Sequence, residues 1–252
     1  MDLKLNNRVV IITGGVGGIG HCLVKAFVKE GAKVVVLDKN KEKGEEVKAK
    51  YDAEGKHVSF IDTDVSDPQS IDDAFNKINN LYSTIDVLIN SAGICSTTPL
   101  LDITFSELEK IMKVNLYSVL RCSQRAVGIM KERNHGAIIN IASLAGQTSG
   151  IFVGADYAAS KAGVISLTKS FAKNYGKYGI RINCVNPGPL ETDMIRKWPE
   201  KELDSLKKSM LIRQDRLGMP EELADVVVFL SSDRASLIHG AQINVNGGIY
   251  IA

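Results

Sequence analysis

The sequence predicts an α/β fold in which seven parallel strands form one doubly wound sheet with helices on both faces. Three observations lead to this prediction. Short apolar, β-branched runs alternate with longer amphipathic stretches along the chain. The apolar runs are continuous, which is typical of a parallel sheet covered on both faces. The first run leads directly into a glycine-rich turn, TGGVGGIG at 13–20, as in Rossmann-type folds that bind dinucleotides.

The predicted strands and helices alternate, as a doubly wound sheet requires. The predicted strands are 9–12, 33–37, 57–61, 87–90, 136–142, 180–185 and 242–245. The predicted helices are 19–30, 40–54, 68–80, 104–132, 155–176 and 220–231. Gly31 suits the position after a helix end, and Pro68 and Pro220 suit a first helical position.

The composition is that of an ordinary globular protein. The chain has 252 residues, of which 44% are hydrophobic, and its formal net charge is +2. This balance gives no reason to expect nucleic acid or an anionic membrane as a partner. The apolar runs are too short to span a bilayer, and the N-terminal MDLKLNNR lacks the apolar region of a signal peptide. We therefore expect a cytoplasmic protein.

The four cysteines predict neither a disulfide framework nor a metal site. They are widely spaced, and no C-x-x-C motif or His/Cys cluster accompanies them. Reduced, mostly buried thiols are the expectation for all four, including Cys95, which is expected near the functional cleft in a packing role. They are Cys22, Cys95, Cys122 and Cys184.

One segment, 189–219, breaks the alternation of strands and helices. The chain has no linker and no internal repeat, so we expect a single domain over 1–252. Segment 189–219 is rich in charges, carries the only tryptophan and follows Pro187-Gly188. Long insertions after a strand often cover the substrate in such folds. We therefore predict a mobile lid; the alternative is a rigid helical hairpin that only shapes the cleft.

The glycine-rich turn predicts a pyrophosphate site. Gly14 permits the tight turn, Gly18 lets the phosphates approach the backbone, and Gly20 lets the following helix pack against the sheet. The free N–H groups and the dipole at the start of that helix attract phosphate.

Asp38 indicates NAD rather than NADP. It ends the second predicted strand, eighteen residues after Gly20, where a carboxylate accepts both ribose hydroxyls. Such a carboxylate would repel the 2′-phosphate of NADP by about 1–4 kcal/mol. Gly17 supplies no cation for that phosphate, although the neighbouring Lys39 is a possible phosphate partner.

Tyr157 and Lys161 form a second chemical motif. They are four residues apart in a predicted helix, so the phenol and the ammonium lie one turn apart on the same face. A phenol normally titrates near ~10, and a nearby ammonium together with the positive nicotinamide of NAD⁺ is expected to lower that pKa. A nucleotide site with an acid–base pair predicts hydride transfer.

Together these residues resemble the short-chain dehydrogenase/reductase family over essentially the whole chain. The order and spacing of the motifs carry the resemblance. The motifs are TGGVGGIG at 13–20, Asp64-Val65, Asn90-Ser91-Ala92-Gly93, Asn115, Ser143, Tyr157-x-x-x-Lys161 and Pro187-Gly188. One departure is Ser91, where the family usually has a second asparagine.

The resemblance implies a role for each matching residue. Tyr157 would exchange the proton with the alcohol or carbonyl oxygen, and Ser143 would hydrogen-bond that oxygen. Lys161 would hold the nicotinamide ribose and lower the phenol pKa, and Asn115 would hold a water that links Lys161 to solvent. The residues expected to contact the dinucleotide are Gly14, Gly17, Gly18, Ile19, Gly20, Asp38, Asp64, Val65, Asn90, Ala92, Gly93, Tyr157, Lys161, Pro187, Gly188, Leu190 and Thr192.

The sequence defines the substrate less closely than it defines the cofactor and the reaction. The tail 244–250 and Glu191-Thr-Asp-Met194 resemble the 3-oxoacyl-(acyl-carrier-protein) reductases. The arginines that dock the carrier protein in those reductases are replaced here by Ala137 and Tyr178, and their usual NADP disagrees with Asp38. We therefore expect an oxidoreductase of a small secondary alcohol, diol or polyol, with the thioester reductase as the alternative. A nucleotide-sensing protein without turnover is a third reading, which the presence of Ser143, Tyr157 and Lys161 disfavours.

The resemblance also implies a homotetramer. The predicted helices 104–132 and 155–176 carry more apolar positions than one buried face requires, and we expect the surplus to form subunit interfaces. These positions include Leu116, Val119, Leu120, Val164, Leu167 and Phe171.

Overall fold

A computed structural model describes residues 2–150, 152–193, 195–212 and 216–251. Its centre is one parallel sheet of seven strands in the order β3-β2-β1-β4-β5-β6-β7, which confirms the predicted fold class. The strands are β1 (Val9–Thr13), β2 (Lys33–Asp38), β3 (Val58–Asp62), β4 (Val87–Asn90), β5 (Gly136–Ile141), β6 (Ile180–Pro187) and β7 (Gln242–Val245).

The helices agree with the prediction in number and place, apart from two short additions and one interruption. Among the described residues they are α1 (Gly18–Lys29), α2 (Lys41–Ala53), α3 (Pro68–Tyr82), α4 (Phe105–Met112), α5 (Ser118–Arg133), α6 (Ala145–Thr148), α7 (Ala155–Tyr175), α8 (Glu200–Ser209) and α9 (Pro220–Ser231). The additions are α6 and α8. None of these described helices has the length and apolar character of a membrane span.

The predicted helix 104–132 is interrupted by a π-helical turn, Lys113–Tyr117, that joins α4 to α5. At its centre, the side-chain amide of Asn115 both donates to and accepts from the backbone of Ile94. Ser118 Oγ also donates to the carbonyl of Val114 at 2.6 Å. A π-turn inserts an extra residue into the helix, and such turns are frequent at functional sites. Apolar periodicity alone gives no signal for it.

Strand β1 shows why the apolar runs are continuous. Val10 and Ile12 face one hydrophobic cluster, which α1 and α9 cover, whereas Ile11 faces a second cluster, which α3 and α5 cover. All three side chains are fully buried. Burial of each contributes roughly 1.5–3 kcal/mol, so both faces of the strand stabilise the sheet.

The strand order reverses beside β1. It pairs with β2 on one side and with β4 on the other, so the chain moves outward in opposite directions from this point. All strands run parallel, and their carboxyl ends therefore lie along one edge of the sheet. A crevice at the carboxyl ends beside such a reversal is the usual ligand site of doubly wound sheets.

The apolar surplus predicted for the long helices is only partly on the surface. Val119, Val164 and Phe171 are buried within the subunit, so the expectation that they are exposed is wrong. They complete the packing between the sheet and its helices. The exposed apolar side chains lie instead around α4 and the start of α5, and at several further places along the chain. They include Leu100, Leu101, Phe105, Tyr117, Leu120, Leu211, Ile212, Leu237 and Ile251.

Candidate active site

A cleft of about 1010 Å³ opens along the carboxyl ends of β1, β2, β4 and β5. Its volume suits a ligand of dinucleotide size. The glycine-rich turn, Asp38 and Asp64 line one part of it, and Tyr157 and Lys161 line another. Most residues that the resemblance assigns to nucleotide binding therefore share one cavity with Tyr157 and Lys161, whereas Ser143 and Asn115 do not line it.

Two glycines of the turn are required by close backbone contacts. Gly14 has a φ of +70°, and a Cβ there would lie 2.8 Å from Ala92 Cα. A Cβ on Gly20 would lie 2.0 Å from the carbonyl oxygen of Gly14. Any side chain at Gly20 would therefore force the turn away from α1. The turn holds the shape predicted from the glycine spacing.

Thr13 connects this turn to the loop after β4. Its Oγ1 accepts hydrogen bonds from the backbone N–H groups of Ser91 and Ala92, both at 3.0 Å. Sequence reasoning did not single out Thr13, although it immediately precedes Gly14. Removal of the hydroxyl would leave two N–H groups without this acceptor, at roughly 1–3 kcal/mol for each buried donor.

The start of α1 offers space for an anion. Gly17 precedes the first helical residue, and a Cβ on Gly17 would have only the carbonyl oxygen of Gly14 within 4 Å, at 3.6 Å. A Cβ on Gly18 would face Thr192 Cγ2 at 3.3 Å. Ile19 also lines the cleft. The first N–H groups of a helix attract phosphate, so these residues fit a pyrophosphate.

Asp38 lies at the end of β2 beside the glycine-rich turn. One carboxylate oxygen accepts from the N–H of Asn40 at 3.0 Å, and the other lies 3.4 Å from the N–H of Val16. These bonds hold a negative charge at the wall of the cleft. Lys39, the possible phosphate partner, is exposed and also lines the cleft.

Asp64 and Val65 lie beside this part of the cleft, after β3. Ser66 donates to Asp64 Oδ1 through its hydroxyl at 2.7 Å and its N–H at 2.9 Å. These hydrogen bonds, with a smaller contribution from Lys39, lower the pKa of Asp64. Asp64 is therefore a fixed anionic acceptor, which suits the exocyclic amine of an adenine.

The ammonium of Lys161 is buried at the other part of the cleft. The residue is only 5% exposed, and Nζ donates to the carbonyl oxygen of Ile141, at the end of β5, at 2.8 Å. Nζ also lies 5.8 Å from the centre of the Tyr157 ring. The pair is thus held by packing of α7 against β5 at the carboxyl edge of the sheet.

Burial dominates the acid–base behaviour of this pair. It raises the pKa of Tyr157 to about 12, although a hydrogen bond with Ser143 opposes the shift. Burial also lowers the pKa of Lys161 to about 8. For the protein without its cofactor, the cost of burying a phenolate outweighs the hydrogen bond with Ser143. The expected lowering of the phenol pKa by Lys161 and a bound nicotinamide stays a prediction. At neutral pH, Tyr157 is a proton donor.

Asn115 is fully buried, and its side chain makes hydrogen bonds next to Tyr157 and Lys161. Besides its two bonds to Ile94, its amide donates to Ser160 Oγ at 3.0 Å, and Ser160 in turn donates to the carbonyl of Tyr157. A Cβ on Gly93 would lie 3.5 Å from both Asn115 Oδ1 and Lys161 Nζ. The side-chain amide of Asn115 is therefore committed to protein partners.

Ser143 and Gly146 lie between β5 and α7 along the chain, and neither residue lines the cleft. Ser143 is buried, and its hydroxyl accepts from the N–H of Ala145 at 3.1 Å while also bonding with Tyr157. A Cβ on Gly146 would lie 2.7 Å from the backbone carbon of Lys161. α6 therefore approaches α7 closely at Lys161, a contact that the sequence did not indicate.

Three residues expected to contact the dinucleotide do not line the cleft. The amide of Asn90 is buried and donates to Asn140 at 2.7 Å and to Ser123 at 3.2 Å. Gly188 packs against Asn246, and Leu190 is buried. Their contribution is to the shape of the loops, whereas Ala92, Gly93, Pro187 and Thr192 do line the cleft.

The two ends of segment 189–219 lie side by side. The N–H of Glu191 donates to the carbonyl of Gly218 at 2.8 Å, and the N–H of Gly218 donates to Pro189 at 3.1 Å. Between these ends lies α8, with Leu206 buried. The ring of Trp198 meets that of Phe152 edge-on, with centroids 5.9 Å apart. Ile151, Met194 and 213–215 lie outside the described residues.

Comparison with known proteins decides the family. The model of the family described as short chain dehydrogenase matches residues 8–203. The chain belongs to the short-chain dehydrogenases. It is therefore an oxidoreductase of CH–OH groups, as its resemblance implied. Among the described residues, no cluster of three or more His, Cys, Asp or Glu side chains could hold a metal ion.

Individual short-chain dehydrogenases are similar over their full length. A 3-oxoacyl-(acyl-carrier-protein) reductase of Thermotoga maritima is 36% identical over 250 residues, covering 99% of this chain and 100% of the relative. A 3alpha-hydroxysteroid dehydrogenase of Mediterraneibacter gnavus is 37% identical over 257 residues, covering 98% of each. L-sorbose reductase of Gluconobacter frateurii, solved with NADPH and L-sorbose, superposes with a TM-score of 0.92 at 27% identity and full coverage of both chains.

Proposed function

We propose that this short-chain dehydrogenase interconverts a small secondary alcohol, diol or polyol and its ketone, with NAD(H) as the hydride carrier. The observation that carries the proposal is the cleft itself. It joins a glycine-rich turn and Asp38 to Tyr157 and the buried Lys161. The tight turn and the carboxylate are the groups that bind a nicotinamide dinucleotide, and the acid–base pair is what a carbinol needs for proton transfer.

The proposed roles follow from the chemistry of each side chain. When bound, the nicotinamide ring donates or accepts the hydride. Tyr157 gives a proton to the carbonyl oxygen in reduction and takes it from the hydroxyl in oxidation. Ser143 donates a second hydrogen bond to that oxygen. Lys161 holds the nicotinamide ribose, while Asn115 keeps the π-turn and Ser160 in place beneath Tyr157. The raised pKa of Tyr157 keeps the phenol protonated near neutral pH, as a proton donor in reduction requires.

NAD(H) is proposed because of the carboxylate of Asp38. NADPH accompanies the sorbose reductase, so the cofactor has to be argued from this chain's own residues. Asp38 is held by the N–H groups of Asn40 and Val16 and cannot readily swing away from a 2′-phosphate. Lys39 also attracts Asp64 and lowers its pKa, which reduces its availability for a phosphate.

We expect wild-type kcat/KM to be at least about tenfold higher with NADH than with NADPH, since repulsion of the 2′-phosphate costs about 1–4 kcal/mol. Asp38→Ala should narrow this gap. Asp62→Asn is the matched control, because Asp62 ends the neighbouring strand β3, is paired in register with Asp38 and does not line the cleft. Steady-state rates with both cofactors measure the effect. An NADPH preference in the wild type would contradict the role of Asp38.

We also propose that 1–252 is one domain and that 189–219 is a lid over the substrate. Closure would exclude water from the reacting atoms. Trp198, the only tryptophan, contacts Phe152, so its fluorescence should change when NADH and then a ketone are added. Hydrogen exchange over 195–212 should slow in the same order, with α5 as the unchanged reference. Equal protection in apo, NADH-bound and ternary states would support a rigid hairpin instead.

A homotetramer is proposed for this short-chain dehydrogenase. Leu101 and Leu237 are each 97% exposed and Phe105 is 90% exposed, and exposed apolar groups of this kind mark interfaces. Two different two-fold interfaces build a tetramer of this kind. Sedimentation equilibrium should give about four times the 27.4 kDa chain mass. A monomer at micromolar concentration would contradict the proposal.

Reduction of a 3-oxoacyl thioester is the second candidate. The name of the Thermotoga relative favours it. The argument against it from Ala137 is wrong, because Ala137 is 2% exposed within β5 and could not present a docking cation. Lys131 and Lys177 both lie over the ring of Tyr178, which makes that surface basic. This surface lies at the amino ends of β5 and β6, opposite the cleft of the same subunit.

One comparison of substrates separates the two candidates. Acetoacetyl thioester and 3-hydroxy-2-butanone are offered separately with NADH and with NADPH, and kcat/KM is measured for the four combinations. The proposed function predicts the highest value for the hydroxyketone with NADH. The highest value for the thioester with NADPH would establish the alternative.

A further inference from the structure

Asp156 is a buried carboxylate in the cleft that the proposed chemistry does not use. It immediately precedes Tyr157 on α7, lines the cleft and is 3% exposed. Its Oδ1 accepts from the N–H of Tyr157 at 2.8 Å. Its Oδ2 is buried without a hydrogen-bond partner among the residues that the structure describes. Buried polar atoms are nearly always paired, so an unpaired oxygen at a cleft wall points to a ligand that donates to it.

The loop after β4 brings a second wall close to Asp156. The N–H of Gly154 donates to the carbonyl of Ser96 at 2.7 Å. A Cβ on Gly154 would lie 2.3 Å from Asp156 Oδ1 and 2.5 Å from Ser96 Oγ. The two walls therefore meet at this point, and the carboxylate lies in a confined part of the cleft.

The same part of the cleft contains the acid–base pair. The thiol of Cys95 lies within electrostatic range of Asp156, Tyr157 and Lys161, and all four residues line the cavity. A small substrate that reaches Tyr157 therefore comes close to Asp156 as well.

We propose that Asp156 determines specificity by accepting a hydrogen bond from a hydroxyl group on the carbon next to the reacting carbon. The substrate class is then a vicinal diol and its α-hydroxyketone. This inference rests on the proposed function, because Tyr157 has to act on the neighbouring carbinol. An ionised carboxylate only accepts hydrogen bonds. A diol supplies the donor, whereas a 3-oxoacyl thioester has a CH2 group on the carbon next to the reacting carbon and supplies none.

Two matched pairs of substrates test the inference. With NADH the pair is 3-hydroxy-2-butanone and 2-butanone, and with NAD⁺ it is 2,3-butanediol and 2-butanol. In each pair the members differ by one hydroxyl group. The wild type should favour the hydroxylated member by about tenfold or more in kcat/KM, the effect of one hydrogen bond to a charged group. Asp156→Asn should reduce this ratio about tenfold, since Asn keeps an oxygen for the N–H of Tyr157 but loses the charge.

Asp62→Asn is the matched control. Asp62 is an exposed carboxylate at the end of β3 and does not line the cleft. The substitution removes the same charge at a distant position, so the ratio should stay at the wild-type value. Thermal melting and NADH titration of each variant report whether the fold and the nucleotide site are intact.

The outcomes separate this inference from the proposed function. Turnover of all four substrates with ratios near one in the wild type would overturn the role of Asp156 and leave the proposed function standing. Equal ratios in the wild type and Asp156→Asn would do the same. Lack of NAD(H)-dependent turnover of all four would overturn both. If Asp156→Asn fails to fold, the wild-type ratio alone decides, and a value below threefold rejects the inference.

Discussion

Tyr157→Phe should lower kcat in both directions by about 10²- to 10⁴-fold, the usual contribution of a general acid–base group. The substitution removes one hydroxyl group, which bonds with Ser143 at the chemical part of the cleft. The glycine-rich turn and Asp38 do not depend on it, so NADH affinity should change less than about threefold, within one weak hydrogen bond. Initial rates at saturating cofactor and NADH fluorescence titration measure the two effects.

Tyr178→Phe is the matched control for this variant. Tyr178 loses the same atom, but its ring lies against Lys131 and Lys177 and does not line the cleft. Its kcat should stay at the wild-type value. Near-native turnover by Tyr157→Phe would eliminate the phenol as the proton donor, and equal losses in both variants would indicate a general effect on the fold.

Lys161→Met should abolish most turnover and at the same time stabilise the protein at neutral pH. The burial that lowers the pKa of Lys161 from 10.5 to about 8 corresponds to roughly 3 kcal/mol against the charged folded state. Loss of the charge-assisted bond from Nζ to the Ile141 carbonyl offsets about 1.5 kcal/mol or more of this gain. A net stabilisation of at most about 1.5 kcal/mol should remain, measured by denaturant unfolding at pH 7.

The pH dependence gives the sign of this effect. Between pH 8 and 10.5 the unfolded chain still holds the lysine proton while the folded protein has released it, so wild-type stability rises with pH relative to Lys161→Met. The advantage of the variant should therefore shrink from pH 7 to pH 9.5. Lys169→Met, at an exposed position on the same helix, is the control and should show no such trend. If Lys161→Met is less stable than the wild type at pH 7, the buried ammonium of Lys161 does not destabilise the folded protein and the prediction is contradicted.

NADH affinity separates the two assigned tasks of Lys161. Loss of both affinity and kcat in Lys161→Met is expected if the ammonium holds the ribose and supports Tyr157. If only kcat falls, the assigned contact with the ribose is wrong.

The parallel sheet was accessible from the sequence because most of its strands are apolar on both faces, whereas its strand order was not predicted. Val9–Thr13 and Val87–Asn90 are buried throughout, which only a covered parallel sheet explains. The π-turn Lys113–Tyr117 was not accessible, since it depends on bonds between Asn115 and the distant Ile94. α8 was hidden because only Leu206 of its ten residues is buried, which leaves no clear apolar period.

Site residues could be predicted where a residue pattern has few roles other than the proposed one. The glycine spacing and the Tyr157–Lys161 pair are patterns of this kind. Thr13 and Gly146 were missed, because their importance comes from contacts with the backbone of Ser91 and of Lys161. Asn90 was assigned to the dinucleotide on its motif, yet its amide belongs to a buried network with Asn140. The pKa values of Tyr157 and Lys161 could not be predicted from the sequence, because the spacing of the motif identifies the ammonium but does not show how deeply it is buried.

Transfer of deuterium is the most direct test of the central claim, that this cleft moves a hydride between a secondary carbinol and NAD⁺. Wild-type protein is incubated with NAD⁺ and 2,3-butanediol deuterated at both carbinol carbons, and the NADH formed is analysed by mass spectrometry. The account predicts one deuterium in each NADH from the wild type and almost none formed by Tyr157→Phe. NADH that forms without deuterium, or an equal amount of deuterated NADH formed by Tyr157→Phe, would contradict it.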